Sequence, residues 1–335
     1  MRWSPIIGPS RRTRPLRPRQ GGIARLAPMT IGGVEQWVLV RGPRANAPIL
    51  LKIHGGPGQA EIPTIQMNAR LEQHFLVVEW DQRGAGKSAA AIEPRAAMSL
   101  DQVVADTIEL TERLVDEFGP RPVILLGHSW GSLVGVLAAY RRPDLYAAFV
   151  STGQIAGFAE GQRIAHEFVV AAAEQRGIAA ASAELTSIGS APYVGPDGIA
   201  AWMKCVRWLG EFGAVWHQPE KFRPVRWMLN SPEYSWPEKL RFTKAAIRSF
   251  ELLYDDLVHA DLNTSCLDLA VPVFMAIGRY DRMAPPEVAE RYFTALTAPH
   301  KEWRWFEESG HFPQWEQADE FHQFMVETVL SAIAP

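Results

Sequence analysis

Apolar residues come in short runs through the first half of the chain, each closed by glycine or a polar turn. The runs stand at 36–41 (QWVLVR), 48–53 (PILLKI), 75–80 (FLVVEW) and 122–126 (PVILL). Their lengths and endings are those of strands buried on both faces. Between the last two, Val103, Val104, Thr107, Ile108, Thr111, Leu114 and Val115 recur at helical spacing. Ser99, with Gln102 three residues later, reads as a capping box opening that helix over 99–118. Strand, helix and strand in this order predict a mainly parallel sheet with helices on both faces, an α/β fold. After Ser151 the pattern changes. Residues 155–265 show helical pieces broken by Gly and Pro, and hold Trp202, Trp208, Trp216, Trp227 and Trp236. Strand-like runs return at 271–277 (VPVFMAI) and 302–306 (EWRWF), and an amphipathic helix over 315–332 closes the chain. The organisation expected is a core of 29–154 and 266–335, interrupted by a helical cap over 155–265.

Composition narrows the class. Of 335 residues, 47% are hydrophobic and 21% charged, ordinary for a globular chain able to bury a full core. The net charge of −3 argues against nucleic acid as a partner, which calls for a basic face. The charge is uneven: residues 1–25 hold seven arginines and no acid, leaving −10 for the rest. With its prolines and no apolar periodicity, the stretch 1–28 reads as a basic disordered tail. An alternative is a start site placed too far upstream, with Met29 as the true start. No apolar run follows the arginines, so the tail is not read as a secretory or twin-arginine signal. Cys205 and Cys266 are too few for a disulfide framework and have no metal-ligand spacing, which sets a cytoplasmic location and no metal as the expectation. No run of 18 apolar residues exists, so no membrane partner is expected. The oligomeric state stays open.

The chemistry lies in the turns after the strands. Gly127-His128-Ser129-Trp130-Gly131 fits G-x-S-x-G between a strand and a helix, the context that motif requires. A nucleophile on so tight a turn needs small neighbours two residues away on either side. The serine needs a base and the base an orienting acid. His311, in Ser309-Gly310-His311-Phe312, and Asp281, in Gly278-Arg279-Tyr280-Asp281, each follow a strand, and the chain order Ser, Asp, His is that of the α/β-hydrolases. Ser129, Asp281 and His311 are therefore the predicted catalytic triad. His54-Gly55-Gly56-Pro57-Gly58 follows another strand, and its glycines let backbone N–H groups approach a developing oxyanion. The predicted donors are the N–H groups of Gly56 and Trp130. Gly84-Ala85-Gly86-Lys87-Ser88 imitates a nucleotide-binding loop. The glycine required five positions before Gly86 is replaced by Asp81, so ATP binding is rejected.

Together HGGPG at 54–58, WDQRGAGKS at 80–88, GHSWGS at 127–132, the GRYD acid and the SGHF histidine resemble the proline iminopeptidases (prolyl aminopeptidases) over about 30–150 and 268–333. The resemblance implies a serine exopeptidase without cofactor, removing an N-terminal residue, often proline, from short peptides. It also implies a helical cap whose acids hold the substrate's free amino group. Two cap segments are candidates: Trp208-Leu209-Gly210-Glu211, at altered spacing, and Ser231-Pro232-Glu233-Tyr234-Ser235. An ammonium taken out of water needs a carboxylate partner, so Glu233 and Glu211 are the expected substrate-binding acids. Asp81, Gln82 and Arg83 are expected to brace the loop near the site. An esterase or other small-molecule acyl hydrolase on the same core is the first alternative. A hydrolase-like binding protein without turnover is the second. Serine at the elbow disfavours epoxide hydrolase and haloalkane dehalogenase chemistry, which needs aspartate there.

Overall fold

The computed structural model describes residues 13, 22–93, 98–218 and 223–333. Eight strands make one sheet: β1 (Ile23–Ile31), β2 (Val34–Gly42), β3 (Ile49–Ile53), β4 (Leu76–Asp81), β5 (Val123–His128), β6 (Ala148–Thr152), β7 (Val273–Gly278) and β8 (Lys301–Phe306). Their spatial order is β1-β2-β4-β3-β5-β6-β7-β8. The β1–β2 and β2–β4 pairs are antiparallel, and from β4 to β8 every pair is parallel. This is the mainly parallel sheet that the alternation of strands and helices predicts, and it fits the α/β-hydrolase fold expected from the motifs in its turns.

Both faces of the sheet are buried, which is why the central strands read as unbroken apolar runs. In β3, Ile49, Leu51 and Ile53 enter one core. There they join Val104, Leu110 and Leu114 of α1 (Leu100–Phe118) and Leu133 and Val134 of α2 (Trp130–Arg141). Leu50 points the other way, as a two-residue side-chain period demands. It lies in a second core with Phe75, Phe321 and Phe324. Ser99 caps α1 by accepting from the Gln102 N–H at 3.2 Å. The reciprocal half of the expected box is absent in form: the Gln102 side chain donates forward to Asp106 instead.

Two strands escape the sequence pattern. β6 has only five residues. β1 carries Arg25 and Pro28 within its run, yet pairs with β2 along its whole length, from Ile23 opposite Gly42 to Ile31 opposite Val34. An edge strand tolerates proline because only one side needs ladder donors. The expected tail boundary at residue 28 is therefore corrected: ordered sheet begins at Ile23, with Leu26 and Ala27 buried. A chain begun at Met29 would lack the first six residues of β1. Residues 1–12 and 14–21 of the expected tail lie outside the described residues.

Between β6 and β7 the described residues form five α-helices: α3 (Phe158–Gln175), α4 (Ala179–Ile188), α5 (Gly198–Glu211), α6 (Pro224–Asn230) and α7 (Trp236–His259). The two ends of this insertion meet at a bridge between Gly157 and Asp261. Several of its buried side chains, among them Val169, Trp202 and Leu257, belong to the same hydrophobic cluster as β3 and α2. The insertion is thus built onto the sheet's core. The closing helix expected over 315–332 is segmented, with helical pieces at Pro313–Glu316 and Ala318–Gln323 and a π turn at Phe324–Val329. Among the described residues no helix is long and apolar enough to cross a membrane.

Candidate active site

Ser129 sits between β5 and α2 with φ 54° and ψ −120°, outside the regions open to most L-residues. Contacts on both sides impose this turn. A Cβ on Gly127 would lie 2.4 Å from the Gly131 carbonyl oxygen, and one on Gly131 would lie 1.9 Å from that of Ile53. The Ser129 N–H donates to the Thr152 carbonyl at 2.9 Å, anchoring the turn to the end of β6. The serine is 8% exposed.

Asp281 follows β7 and is buried. Its Oδ1 accepts the N–H groups of Met283 and Ala284, each at 2.9 Å, and its Oδ2 lies 2.8 Å from His311 Nδ1. With a carboxylate at Nδ1, the imidazole carries its proton there and leaves Nε2 free to act as a base. The ring lies against Gly153, where a Cβ would approach His311 Cε1 to 2.6 Å. Gly153 is the next residue after Thr152, which holds the Ser129 backbone. The structure therefore joins His311 to Asp281 directly and sets the ring beside the end of β6 that anchors the elbow. No hydrogen bond joins Ser129 Oγ to His311 among the described residues; in free enzymes such bonds commonly tighten only on substrate binding.

The glycine-rich loop runs over the elbow. A Cβ on Gly55 would sit 3.1 Å from Ser129 Cβ, and Gly56 has φ +119°. Trp130 is the first residue of α2, where backbone N–H groups lack intrahelical partners. Buried polar contacts hold this loop. His54 Nδ1 lies 2.8 Å from the Gly55 carbonyl oxygen, its Nε2 accepts the Gln82 N–H at 3.2 Å, and Gln82 Nε2 donates back to the His54 carbonyl at 3.0 Å. Burial lowers the His54 pKa to about 4, so this ring is neutral and serves as structure. Gln82 Oε1 accepts from Trp130 Nε1 at 3.1 Å, linking the loop to the elbow. Arg83 makes a two-pronged ion pair with buried Asp106. Asp81 accepts the Lys87 N–H and the Tyr234 hydroxyl. Of the three residues expected to brace the loop, Gln82 contacts it directly, while Asp81 and Arg83 tie their own segment to Tyr234 and to α1.

Two acids were expected at the substrate's amino end. Glu233 is 2% exposed, between α6 and α7. It accepts from Ser231 Oγ at 2.6 Å and Thr13 Oγ1 at 3.0 Å. Its carbonyl takes Lys87 Nζ, and its neighbour Tyr234 donates to Asp81, so this corner of the insertion is pinned to the bracing segment. Glu211 ends α5 with its side chain exposed. A carboxylate there keeps its water, and the desolvation argument that selected it does not apply.

Other groups gather here without a motif to announce them. Phe312 and Trp315 stack at 4.9 Å, Trp216 of the insertion stacks on Phe312 at 4.4 Å, and His128 lies 4.8 Å from the His311 ring. Burial holds the His128 pKa well below its ordinary value, so a neutral imidazole flanks His311. Lys52 of β3 pairs with Glu61 and Glu79, all three buried, with Lys52 and Glu61 flanking the glycine-rich loop in sequence. Burial raises the pKa of both carboxylates. Lysine inside an apolar strand and a glutamate three residues past HGGPG were the available signals. Among the described residues no group of His, Cys, Asp and Glu could hold a metal ion.

A family model described as serine aminopeptidase, S33, matches residues 47–318. The probable aminopeptidase YbaC of Bacillus subtilis (strain 168) is 29% identical over 305 residues, 91% of this chain and 96% of that protein. Among solved structures, a proline iminopeptidase-related protein from Thermus thermophilus superposes with a TM-score of 0.65 at 20% identity, over 93% of this chain and 99% of the other. An esterase from a Rhodococcus species superposes at 0.60 and 18% identity, over 93% and 99%. At such identities the structural likenesses show the fold alone.

Proposed function

The chain belongs to the serine aminopeptidase S33 family, and from that premise we propose that this hydrolase cleaves the amide bond after a free N-terminal residue, proline or another, in short peptides. Its substrate is a peptide or small molecule. The observation that carries the reading is the buried Asp281–His311 pair, set against the strand end that anchors a strained Ser129.

In this mechanism His311 Nε2 takes the Ser129 Oγ proton as the oxygen attacks the carbonyl carbon. Asp281 holds Nδ1–H and stabilises the imidazolium that forms. The N–H groups of Gly56 and Trp130 receive the negative oxygen of the tetrahedral intermediate, each such donor typically being worth about 10²–10³ in turnover. The imidazolium then protonates the leaving nitrogen, and the amide C–N bond breaks. An acyl-enzyme remains, and water, deprotonated by His311, hydrolyses it. Glu233 receives the substrate's ammonium, its charge repaying the desolvation of both groups. The stack of Trp216, Phe312 and Trp315 supplies an apolar wall for the N-terminal side chain.

That uncharged stack would suit an apolar acyl group equally well, which sustains esterase activity as a second reading. A panel of aminoacyl arylamides, each with a free and an acetylated amine, separates the two. An aminopeptidase loses most activity when the amine is blocked. Equal rates on free and acetylated substrates would overturn the assignment in favour of the esterase.

A further inference from the structure

We propose that Glu316 is a positioning residue that couples the insertion to His311, so that a substrate pressing on residues 214–218 sets the alignment of the catalytic imidazole. The inference rests on the reading of Ser129 and His311 as nucleophile and base. Glu316 is 7% exposed, and its two oxygens serve two different parts of the chain. Oε1 accepts the Gly310 N–H at 2.8 Å, one residue before His311. Oε2 accepts the N–H groups of His217 at 2.7 Å and Gln218 at 3.2 Å, in the segment between α5 and α6.

The same segment grips both catalytic loops through its own backbone. The Ala214 carbonyl accepts the Arg282 N–H at 2.9 Å, next to Asp281, and the Val215 carbonyl accepts the His311 N–H at 2.7 Å. The approach at Gly310 leaves no room for a side chain, since a Cβ there would meet the Val215 oxygen at 2.4 Å. Between these ties Trp216 stacks on Phe312, whose ring lies 5.0 Å from that of His311. A ligand seated against Trp216 therefore bears on a segment tied to the histidine loop at Gly310, His311 and Phe312. A carboxylate suits the junction because both of its oxygens accept. Glutamine can serve one segment but turns an NH₂ toward the donors of the other. Aspartate keeps the charge but is too short to span both.

The test compares the full chain with Glu316→Gln and Glu316→Asp, each checked for folding by near-ultraviolet circular dichroism. The first measurement is the rate at which a small alkyl fluorophosphonate labels Ser129 between pH 5 and pH 9, which needs nucleophile and base but no particular substrate. The second is kcat and KM, taken separately on the best substrate. Coupling predicts labelling slowed at least tenfold in Glu316→Gln, kcat reduced in parallel, KM within threefold, and a displaced acid limb of the pH profile, with Glu316→Asp between it and the parent. Labelling and kcat within twofold of the parent, with an unmoved pH profile in either folded variant, would overturn the proposal. So would a rise confined to KM, which assigns Glu316 to the pocket wall alone. If the parent accepts esters but no free-amine arylamide, the peptide reading falls while the labelling comparison still decides the coupling. If the parent is not labelled at Ser129, both fall together.

Discussion

At Ser129 the backbone is held where L-residues are strained, and the cost of such a conformation is about 1–3 kcal/mol. Function and stability should therefore separate at this position. Ser129→Ala is expected to lower turnover on the order of 10⁶-fold, the loss seen when a triad nucleophile is removed. Ser129→Gly should be equally inactive yet more stable than the parent by about 1 kcal/mol, because glycine adopts positive φ without penalty. Thermal unfolding of the two variants checks this, and a destabilised glycine variant would show that the turn carries no strain. Asp81 presents the opposite case, a buried carboxyl that stays protonated unusually long. Burial raises its pKa to about 7, and its Oδ1 has no hydrogen-bond partner. A carboxyl whose folded pKa lies above its unfolded value binds its proton more tightly in the native state, so its contribution to stability falls as pH rises from about 4 to 7. Asp81→Asn mimics the protonated form and can still accept from Lys87 and Tyr234. It should match the parent near pH 4 and exceed it above pH 7, by an amount on the order of a few kcal/mol. Melting curves across that range decide it. A variant that gains nothing at pH 8 would mean that Asp81 is ionised without cost.

Among the elements, β1 shows what local pattern misses. Its alternation is interrupted by a charge and a proline, yet Leu26 is fully buried and the strand covers the open side of β2. Without Ile23–Pro28, the β2 edge would present unpaired N–H and C=O groups, a template for aggregation. Burying Leu26 alone accounts for about 1.5–3 kcal/mol. A chain beginning at residue 29 should therefore unfold several degrees below one beginning at residue 22 and aggregate on heating. Indistinguishable melting of the two would show that β1 adds nothing. Strands β3, β4 and β5 behave differently. Buried on both faces, they have apolar residues along their central positions save Lys52 and Glu79, which answer each other across the β3–β4 pair. The glycine-rich loop rises from the end of β3 and the elbow from the end of β5, so that adjacent parallel strands bring Gly55 against Ser129.

In the molecule as a whole, the proposed selectivity is tested where the insertion meets the sheet. Glu233 belongs to the insertion, but Lys87 and Tyr234 pin its corner to the segment after β4. If this buried carboxylate receives the substrate's ammonium, Glu233→Gln should raise KM for free-amine arylamides about 10–100-fold, the worth of a charge-assisted hydrogen bond. Turnover of acetylated or ester substrates should hardly change. Steady-state kinetics on matched pairs tests this, and an equal effect on both would assign Glu233 a structural role. The stacking of Trp216 on Phe312 and the Glu316 junction have the same origin. Each brings together segments remote in the chain, so no local spacing signals them.

Local rules were enough to read the elements whose cause is local. A turn with glycine two residues to either side of its serine, a helix opened by Ser99 and strands that are apolar through most of their length follow from sterics and burial acting over a few residues. What a carboxylate faces is set by other parts of the chain, and the residues themselves do not reveal it. Glu211 and Glu233 read alike as acids in a helical insertion. Folding left the first in water and closed the second under its neighbours, because exposure is a property of the surface that packing creates.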